Sequence, residues 1–448
     1  MVRLKIGLAG TRGIPARYGG FETFAEELSA RLVERGHFVS VYCRRGSGSG
    51  SGEWGGGSGS SRSEDRDGFP DESPDETPAQ SRDKSPASSP TPHTLPPTPH
   101  RIVLPALRHK YFETVSHTLL SSLDALRRDF DVVLLCNAAN AFVLPLLRAA
   151  RIPVAINVDG IERRRRKWNI AGKLVYAIGE SFSALFANKV VADADVIADY
   201  YRSRYGIEPA TIPYGAEFPP EDDSDVLARL GVEAGNYILY VSRFEPENNP
   251  LEVVRAYEGG GIGDWGVGAE TGTLQTGTLT AASQNGDLAR PPLPPPTPHA
   301  PPPKLIMLGA ASYARDLEET LRSHASDRIL FPGALYGRDY RTLQRNALIY
   351  VQATEVGGTH PAMIEAMASG GCVLAHDTPE NREVGGDAVG YFRLRPSQTL
   401  SGTLREFLES PALREQMRIA ARARAAERYS WSAVTDAYER LFEEIVAR

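Results

Sequence analysis

Between Glu355 and Gly371 the chain reads EVGGTHPAMIEAMASGG, a spacing suited to holding an anion beside a sugar. Gly357 and Gly358 let the backbone turn and approach a ligand closely, Thr359 is placed as a helix N-cap, and Pro361 suits the first helical position. The helix start then presents free N–H groups and the positive end of its dipole to a phosphate. Glu365, about one turn further on, can accept a hydrogen bond from a ribose hydroxyl. Together these residues predict a site for a nucleoside diphosphate.

A second glycine-rich loop, Gly10 to Glu22, leaves an apolar strand and enters a helix. Its spacing departs from the dinucleotide pattern Gly-x-Gly-x-x-Gly, and Gly19-Gly20 falls at the helix start. It reads as the second half of a clamp around diphosphate and sugar, with a structural tight turn as the alternative. Asp159, in Asn157-Val158-Asp159-Gly160, follows a buried strand and so belongs at a strand's carboxyl end, in a cleft. A carboxylate there can stabilise positive charge on a ligand in the cleft; a turn or helix cap is the bland alternative. Directly after it runs Arg163-Arg164-Arg165-Arg166-Lys167-Trp168. Arg164, Arg165, Lys167 and Trp168 suit an anionic membrane surface or the pyrophosphate of a lipid-linked acceptor, against a merely solvated face.

These side chains need a scaffold that brings strand ends and helix starts together. Strands are expected at Lys5–Ala9, Val39–Cys43, Ile102–Leu104, Val132–Leu135, Val154–Asn157, Val190–Ala192, Val196–Ala198 and Ala210–Ile212, with amphipathic helices between them. Strands recur at Tyr237–Val241, Lys304–Leu308, Ile329–Phe331, Leu348–Gln352 and Cys372–Ala375, and helices at Ala412–Arg428 and Trp431–Ala447 close the chain. The alternation predicts an α/β protein with two Rossmann-like domains, each a parallel sheet, facing a cleft. The expected domains are 1–216 and 217–428, with 429–448 crossing back to the first. Segments 46–100 and 259–303 are rich in Gly, Ser, Thr and Pro, and read as disordered low-complexity insertions at surface loops.

Composition excludes several classes. A net charge of −6 over 448 residues gives no footprint for nucleic acid. Cys43, Cys136 and Cys372 lie far apart in apolar surroundings, which suits buried thiols in a reducing cytoplasm. The opening apolar stretch is too short for a signal sequence, and no apolar run reaches membrane-spanning length, so a soluble or peripheral protein is expected. No cluster has metal-ligand spacing. A nicotinamide or flavin enzyme would need an acidic residue after the second strand, and Val41-Tyr42-Cys43-Arg44-Arg45 offers none.

Glu365-Ala366-Met367-Ala368-Ser369-Gly370 resembles the donor-site signature of retaining glycosyltransferases of family 4, where two glutamates separated by seven residues precede Ala-Met-Ala-x-Gly. Gly357 stands where the first glutamate would be, with Glu355 the nearest carboxylate. The phrase GTRGIPARYGGFETFAEEL closely resembles the opening of bacterial rhamnosyltransferases of capsular and surface polysaccharide synthesis. The resemblance implies the GT-B fold. It also implies that Arg243 faces the donor diphosphate, with Asn248 in the family's lysine position, and that Asp159 takes the place of a histidine at the transferring sugar. Arg108-His109-Lys110-Tyr111 resembles an acceptor-side phrase, and Pro213-Tyr214-Gly215-Ala216 and Phe331 to Leu335 resemble a hinge and a base-side loop.

The implied activity is retaining transfer of a sugar, L-rhamnose from a dTDP donor, onto a lipid-linked or growing polysaccharide. In it Glu365 holds the ribose, Arg243, Asn248 and the Gly358-Thr359-His360 loop hold diphosphate and sugar, and Gly19-Gly20 closes from the other domain. The departing phosphate oxygen takes the acceptor proton, so neither metal nor cofactor is required; the nucleotide sugar is a substrate. A UDP-hexose donor and a non-catalytic nucleotide-sugar-binding scaffold are the alternatives, the latter motivated by the missing glutamate and lysine.

Overall fold

The computed structural model describes residues 3–16, 19–45, 98–107, 112–165, 168–217, 224–262, 302–311, 314–394 and 398–447. Arg108, His109, Lys110 and Lys167, and the interior of both low-complexity segments, lie outside them.

Near-continuous apolar runs make strands buried on both faces, the condition for parallel sheets covered by helices. The first half contains β1 (Lys5–Ala9), α1 (Gly20–Glu34), β2 (Phe38–Arg44), β3 (His100–Leu104), α2 (Phe112–Ala125) and β4 (Val132–Cys136). It continues with α3 (Leu144–Ala149), β5 (Val154–Val158), α4 (Ile170–Phe186), β6 (Lys189–Ala192), α5 (Asp195–Tyr205) and β7 (Ala210–Thr211). Its seven strands are all parallel in the order β3-β2-β1-β4-β5-β6-β7.

The second half runs α6 (Val226–Leu230), β8 (Tyr237–Val241), α7 (Pro250–Gly259), β9 (Lys304–Leu308), α8 (Arg315–Arg322), β10 (Ile329–Gly333) and α9 (Gly337–Asn346). Then come β11 (Ile349–Gln352), α10 (Pro361–Ala368), β12 (Val373–His376), α11 (Pro379–Gly385), β13 (Gly390–Phe392), α12 (Gln398–Glu409), α13 (Pro411–Arg428) and α14 (Trp431–Val446). Six parallel strands follow the order β10-β9-β8-β11-β12-β13. Both orders reverse direction beside the sheet's first strand, so each sheet has a switch point where strand ends open a crevice. This is the two-sheet α/β architecture expected from the sequence.

α14 returns to the first half and packs on α1, β4 and β5. Trp431 at its start fills the space beside Gly215, where a Cβ would lie 2.5 Å from the indole, and the buried Tyr438 hydroxyl accepts from Asn157 Nδ2 across 2.8 Å. Tyr214 sits edge-on to Phe24 at 5.4 Å, so the hinge phrase is anchored by aromatic packing.

Two expectations need correction. Val196-Ile197-Ala198 is not a strand but part of α5, because a short apolar triplet carries no period of its own and the backbone N–H groups of Asp195 and Val196 are capped by the Glu383 carboxylate. The low-complexity segments are also shorter than composition suggests. His100 opens β3, Gly259 ends α7, Ile262 is buried, and the Pro303 carbonyl accepts the Tyr257 hydroxyl at 2.8 Å.

Candidate active site

The carboxyl ends of β5, β6 and β11 and the start of α10 meet in the cleft, and small residues let them meet closely. A Cβ on Gly160, just past β5, would lie 3.2 Å from the Gly357 backbone of the other half. One on Gly20 would lie 3.1 Å from the Pro361 ring, and one on Gly358 would overlap the Asp193 carboxylate at 2.1 Å. The expected donor residues Gly20, Gly358, Thr359 and His360 are therefore neighbours of the first half's strand ends. Gly19 precedes α1 in extended conformation, and its carbonyl accepts the Glu22 N–H at 3.1 Å.

Asp193 follows β6 as Asp159 follows β5, and sequence reasoning missed it. The same strand-end argument would have found it in Val190-Val191-Ala192-Asp193. Its Oδ2 accepts the Thr359 N–H at 2.8 Å, and its carbonyl accepts the Thr359 hydroxyl. Thr359 is thus committed across the cleft, and His360, not Thr359, occupies the N-cap position of α10, with no side-chain cap bond. The start of α10 keeps the uncapped N–H character that suits an anion.

Asp159 and Asp193 face each other as a carboxyl pair. Burial, and then the charge of Glu162, raise Asp159 to about 6 against the opposing pull of Arg165 and Arg243. Burial and the charge of Asp159 hold Asp193 well above the usual carboxylate range. Two buried carboxyls this close share a proton, so near neutral pH one is an acid and the other an anion.

Within the described part of the basic run, Arg165 turns inward while Arg164 stays outside. Arg165 is buried, with Nε 2.6 Å from Glu162 and its terminal nitrogen 3.5 Å from Glu245 and 3.8 Å from Glu247 of the second half. A guanidinium surrounded by Glu162, Asp159, Glu245 and Glu247 is held above its ordinary range once burial is overcome. The reason is that the chain turns in a short 3-10 segment, Glu162–Arg164, and points Arg165 back into the cleft. Arg163 bonds the Tyr200 hydroxyl and lies 3.2 Å from Glu180, and Trp168 packs on Tyr176 at 5.2 Å. Arg164 is exposed, over the Tyr200 ring.

In the second half, Arg243 projects from the end of β8 and is exposed, 3.6 Å from Glu245. Asn248 is buried, and its amide donates to the Arg243 carbonyl at 2.7 Å, so it shapes the loop that carries Arg243. His360 is lowered to about 4, by burial and then by Arg165, and is a neutral imidazole near pH 7. Its ring occupies the space beside Gly357, where a Cβ would be 2.4 Å from Cε1. Glu365 accepts the Tyr340 hydroxyl, which Gln344 Nε2 supports at 2.8 Å. Burial raises Glu365 to about 7, against the lowering effect of Tyr340.

The three cysteines are free and buried, and among the described residues no helix is long and apolar enough to cross a membrane.

Residues 18–217 match the family model Glycosyltransferase Family 4, and residues 296–424 match Glycosyl transferases group 1. No curated protein matches the sequence significantly. Among solved structures, the chain is similar to a sucrose-phosphate synthase from Thermosynechococcus elongatus, with TM-score 0.68 and 16% identity over 99% of this chain and 100% of that one. HepE of Anabaena, solved in complex with UDP and glucose, matches with TM-score 0.63 and 12% identity over 99% and 100%. A glycosyltransferase from Rickettsia africae matches with TM-score 0.62 and 12% identity over 100% and 99%.

Proposed function

From the premise that this chain is a glycosyltransferase of the GT-B fold acting on a nucleotide-sugar donor, we propose that it moves a hexose from a UDP donor onto a lipid-linked or growing polysaccharide acceptor. The observation that carries the reading is the meeting, in one cleft, of the uncapped start of α10, Glu365 behind it and the Asp159–Asp193 pair in front of it. The α10 start and exposed Arg243 suit the diphosphate, and Glu365 suits the ribose. Asp159 suits the anomeric carbon, where its negative charge stabilises positive charge that develops as the sugar–phosphate bond breaks. Neutral His360 can bond a sugar hydroxyl. UDP accompanies HepE, whose fold this chain shares, and this favours a UDP donor.

A dTDP-rhamnose donor is the second reading, favoured by the GTRGIPARYGGFETFAEEL phrase and by Gly357 in place of a glutamate. Thermal unfolding with UDP-, dTDP- and GDP-sugars separates the two, since a ligand held only by the folded state stabilises by about 2.7 kcal/mol at a hundredfold excess over Kd. A UDP-hexose should give the largest upward shift and release UDP when extracted lipid-linked acceptor is added. A shift confined to dTDP-sugars would select the second reading, and no shift with any would reject both.

A further inference from the structure

We propose that the outward faces of α2 and α4 form one lipid-facing surface that seats the protein on an anionic bilayer. A helix on a water-soluble protein turns its apolar stripe inward. These two do the reverse. α2 buries His117, Thr118, Ser121 and Ser122, and satisfies the serine hydroxyls on its own carbonyls of His117 and Thr118 at 2.8 Å. α4 buries Gly179, Glu180 and Ser183, with the Ser183 hydroxyl on the Gly179 carbonyl.

Outward from α2 point Phe112, Val115, Leu119 and Leu123, spaced as one helical stripe and exposed by 41 to 56%. Outward from α4 point Ile170, Leu174, Ile178 and Leu185, again one stripe, with Ile170 88% and Leu185 71% exposed. Both helices grip the same turn, Ala138–Val143. Thr118 of α2 donates to Asn140 Oδ1 at 2.8 Å, and Gly179 of α4 approaches Ala138 so closely that a Cβ would lie 2.3 Å from its carbonyl oxygen. The two stripes therefore belong to one side of the first domain. An exposed apolar patch of this extent marks a contact surface.

Charge selects the occupant. The exposed positions of α2 and α4 carry no carboxylate, and their only charge is Lys173. Exposed Arg164 precedes α4, and exposed Arg127, Arg128 and Asp129 follow α2, a net basic rim. A second copy docked on the same face by a twofold axis would bring these cations together, and of the acids nearby Glu113 is already paired with Arg44 and Asp124 with Arg128, which leaves Asp129 alone to receive them. An anionic lipid surface accepts both the apolar stripes and the basic rim. This surface lies on the outward side of α4, whose Tyr176 borders the cleft residues Glu162 and Arg165. It gives a lipid-linked acceptor a reason to be near, but it does not rest on the donor assignment.

The test mixes the full chain, without donor or acceptor, with vesicles of phosphatidylcholine or of phosphatidylcholine plus phosphatidylglycerol, followed by sedimentation. The wild type should pellet with the anionic vesicles at least about tenfold better than with neutral ones. L174E/I178E and, separately, L119E/L123E should each stay in the supernatant. Both pairs are exposed, so thermal midpoints and UDP-sugar binding should match the wild type. A wild type that never pellets, or variants that pellet equally well, would overturn the proposal. So would a dimer, seen by analytical ultracentrifugation, that the glutamates split while vesicle binding is absent, which would assign the face to a second copy.

Discussion

Gly357 is the residue at which this chain departs most visibly from the two-glutamate signature it resembles, and the structure supplies a steric cause. A Cβ there would approach His360 Cε1 to 2.4 Å, Nε2 to 3.1 Å and Nδ1 to 3.2 Å. Ordinary carbon contacts begin near 3.5 Å, so Gly357→Ala requires the imidazole to retreat by about 1 Å. Overpacking of this kind costs about 1–3 kcal/mol, and at about 1.4 kcal/mol per decade this predicts a loss of roughly 5- to 150-fold in donor affinity if the ring must hold its place to bind sugar. Isothermal titration with a UDP-sugar measures it. The second arm is His360→Ala and the double variant. Once the ring is gone the added methyl has room, so Gly357→Ala should do little further harm in that background, with a coupling energy of at least about 1 kcal/mol. Wild-type affinity in Gly357→Ala, or strictly additive losses in the double variant, would refute the account of why a glycine stands there.

Arg165→Met should be severely destabilising, because it leaves buried Glu247 beside Glu245 and Glu162 without its cation; about 3–5 kcal/mol is expected in urea unfolding, and less than about 1 would show that the cluster does not hold the cleft. Asp159→Asn tests the carboxyl pair through pH. Both folded-state values are raised, so the pair's stability is fully present below the ordinary carboxylate range and is lost as pH rises through about 6. The variant should therefore gain on the wild type in thermal midpoint from pH 4 to pH 7.5, while the rising acid limb of the wild-type rate profile, centred near pH 6, disappears; parallel stability curves would count against a shared proton. Tyr340→Phe removes the hydroxyl that lowers Glu365, so Glu365 should titrate above its present value of about 7. Nucleotide affinity should then fall at pH 7 and recover on raising the pH, and calorimetry showing a pH-independent loss would reject the carboxylate's part in binding.

Most of the fold was readable because buried parallel strands are written as apolar runs, and Lys5–Ala9, Tyr237–Val241 and Lys304–Leu308 appear where the runs predict them. Val196-Ile197-Ala198 failed because three apolar residues have no period, and the capping carboxylate that makes them helical, Glu383, is 187 residues away from Val196. Local features were placed where the sequence put them: Pro361 opens α10 and Glu365 follows about one turn on. The site was illegible where it depends on which residues meet. Arg165 looks like its basic neighbours in sequence, yet its backbone turns it toward Glu245 and Glu247, 80 and 82 residues away. The strand-end argument could place Asp193 in the cleft, but only the convergence of β5 and β6 on Thr359 gives it its partner.

The glycines of the cleft make the same point about cause. Gly20, Gly160, Gly357 and Gly358 sit in three distant stretches of chain, and each by itself reads as a local turn or as room for a ligand. Only Gly160 among them has the positive φ, 63°, that a turn would demand. The others are tight because of what faces them: Pro361 against Gly20, His360 against Gly357, Asp193 against Gly358. Gly160 in turn faces Gly357 itself. The absence of side chains at these positions therefore sets how near the two sheets' strand ends can come. That distance sets how closely the carboxyl pair on one half faces the helix start on the other. Arg165 and its two glutamates hold the halves at that separation by charge, while the glycines permit it by volume.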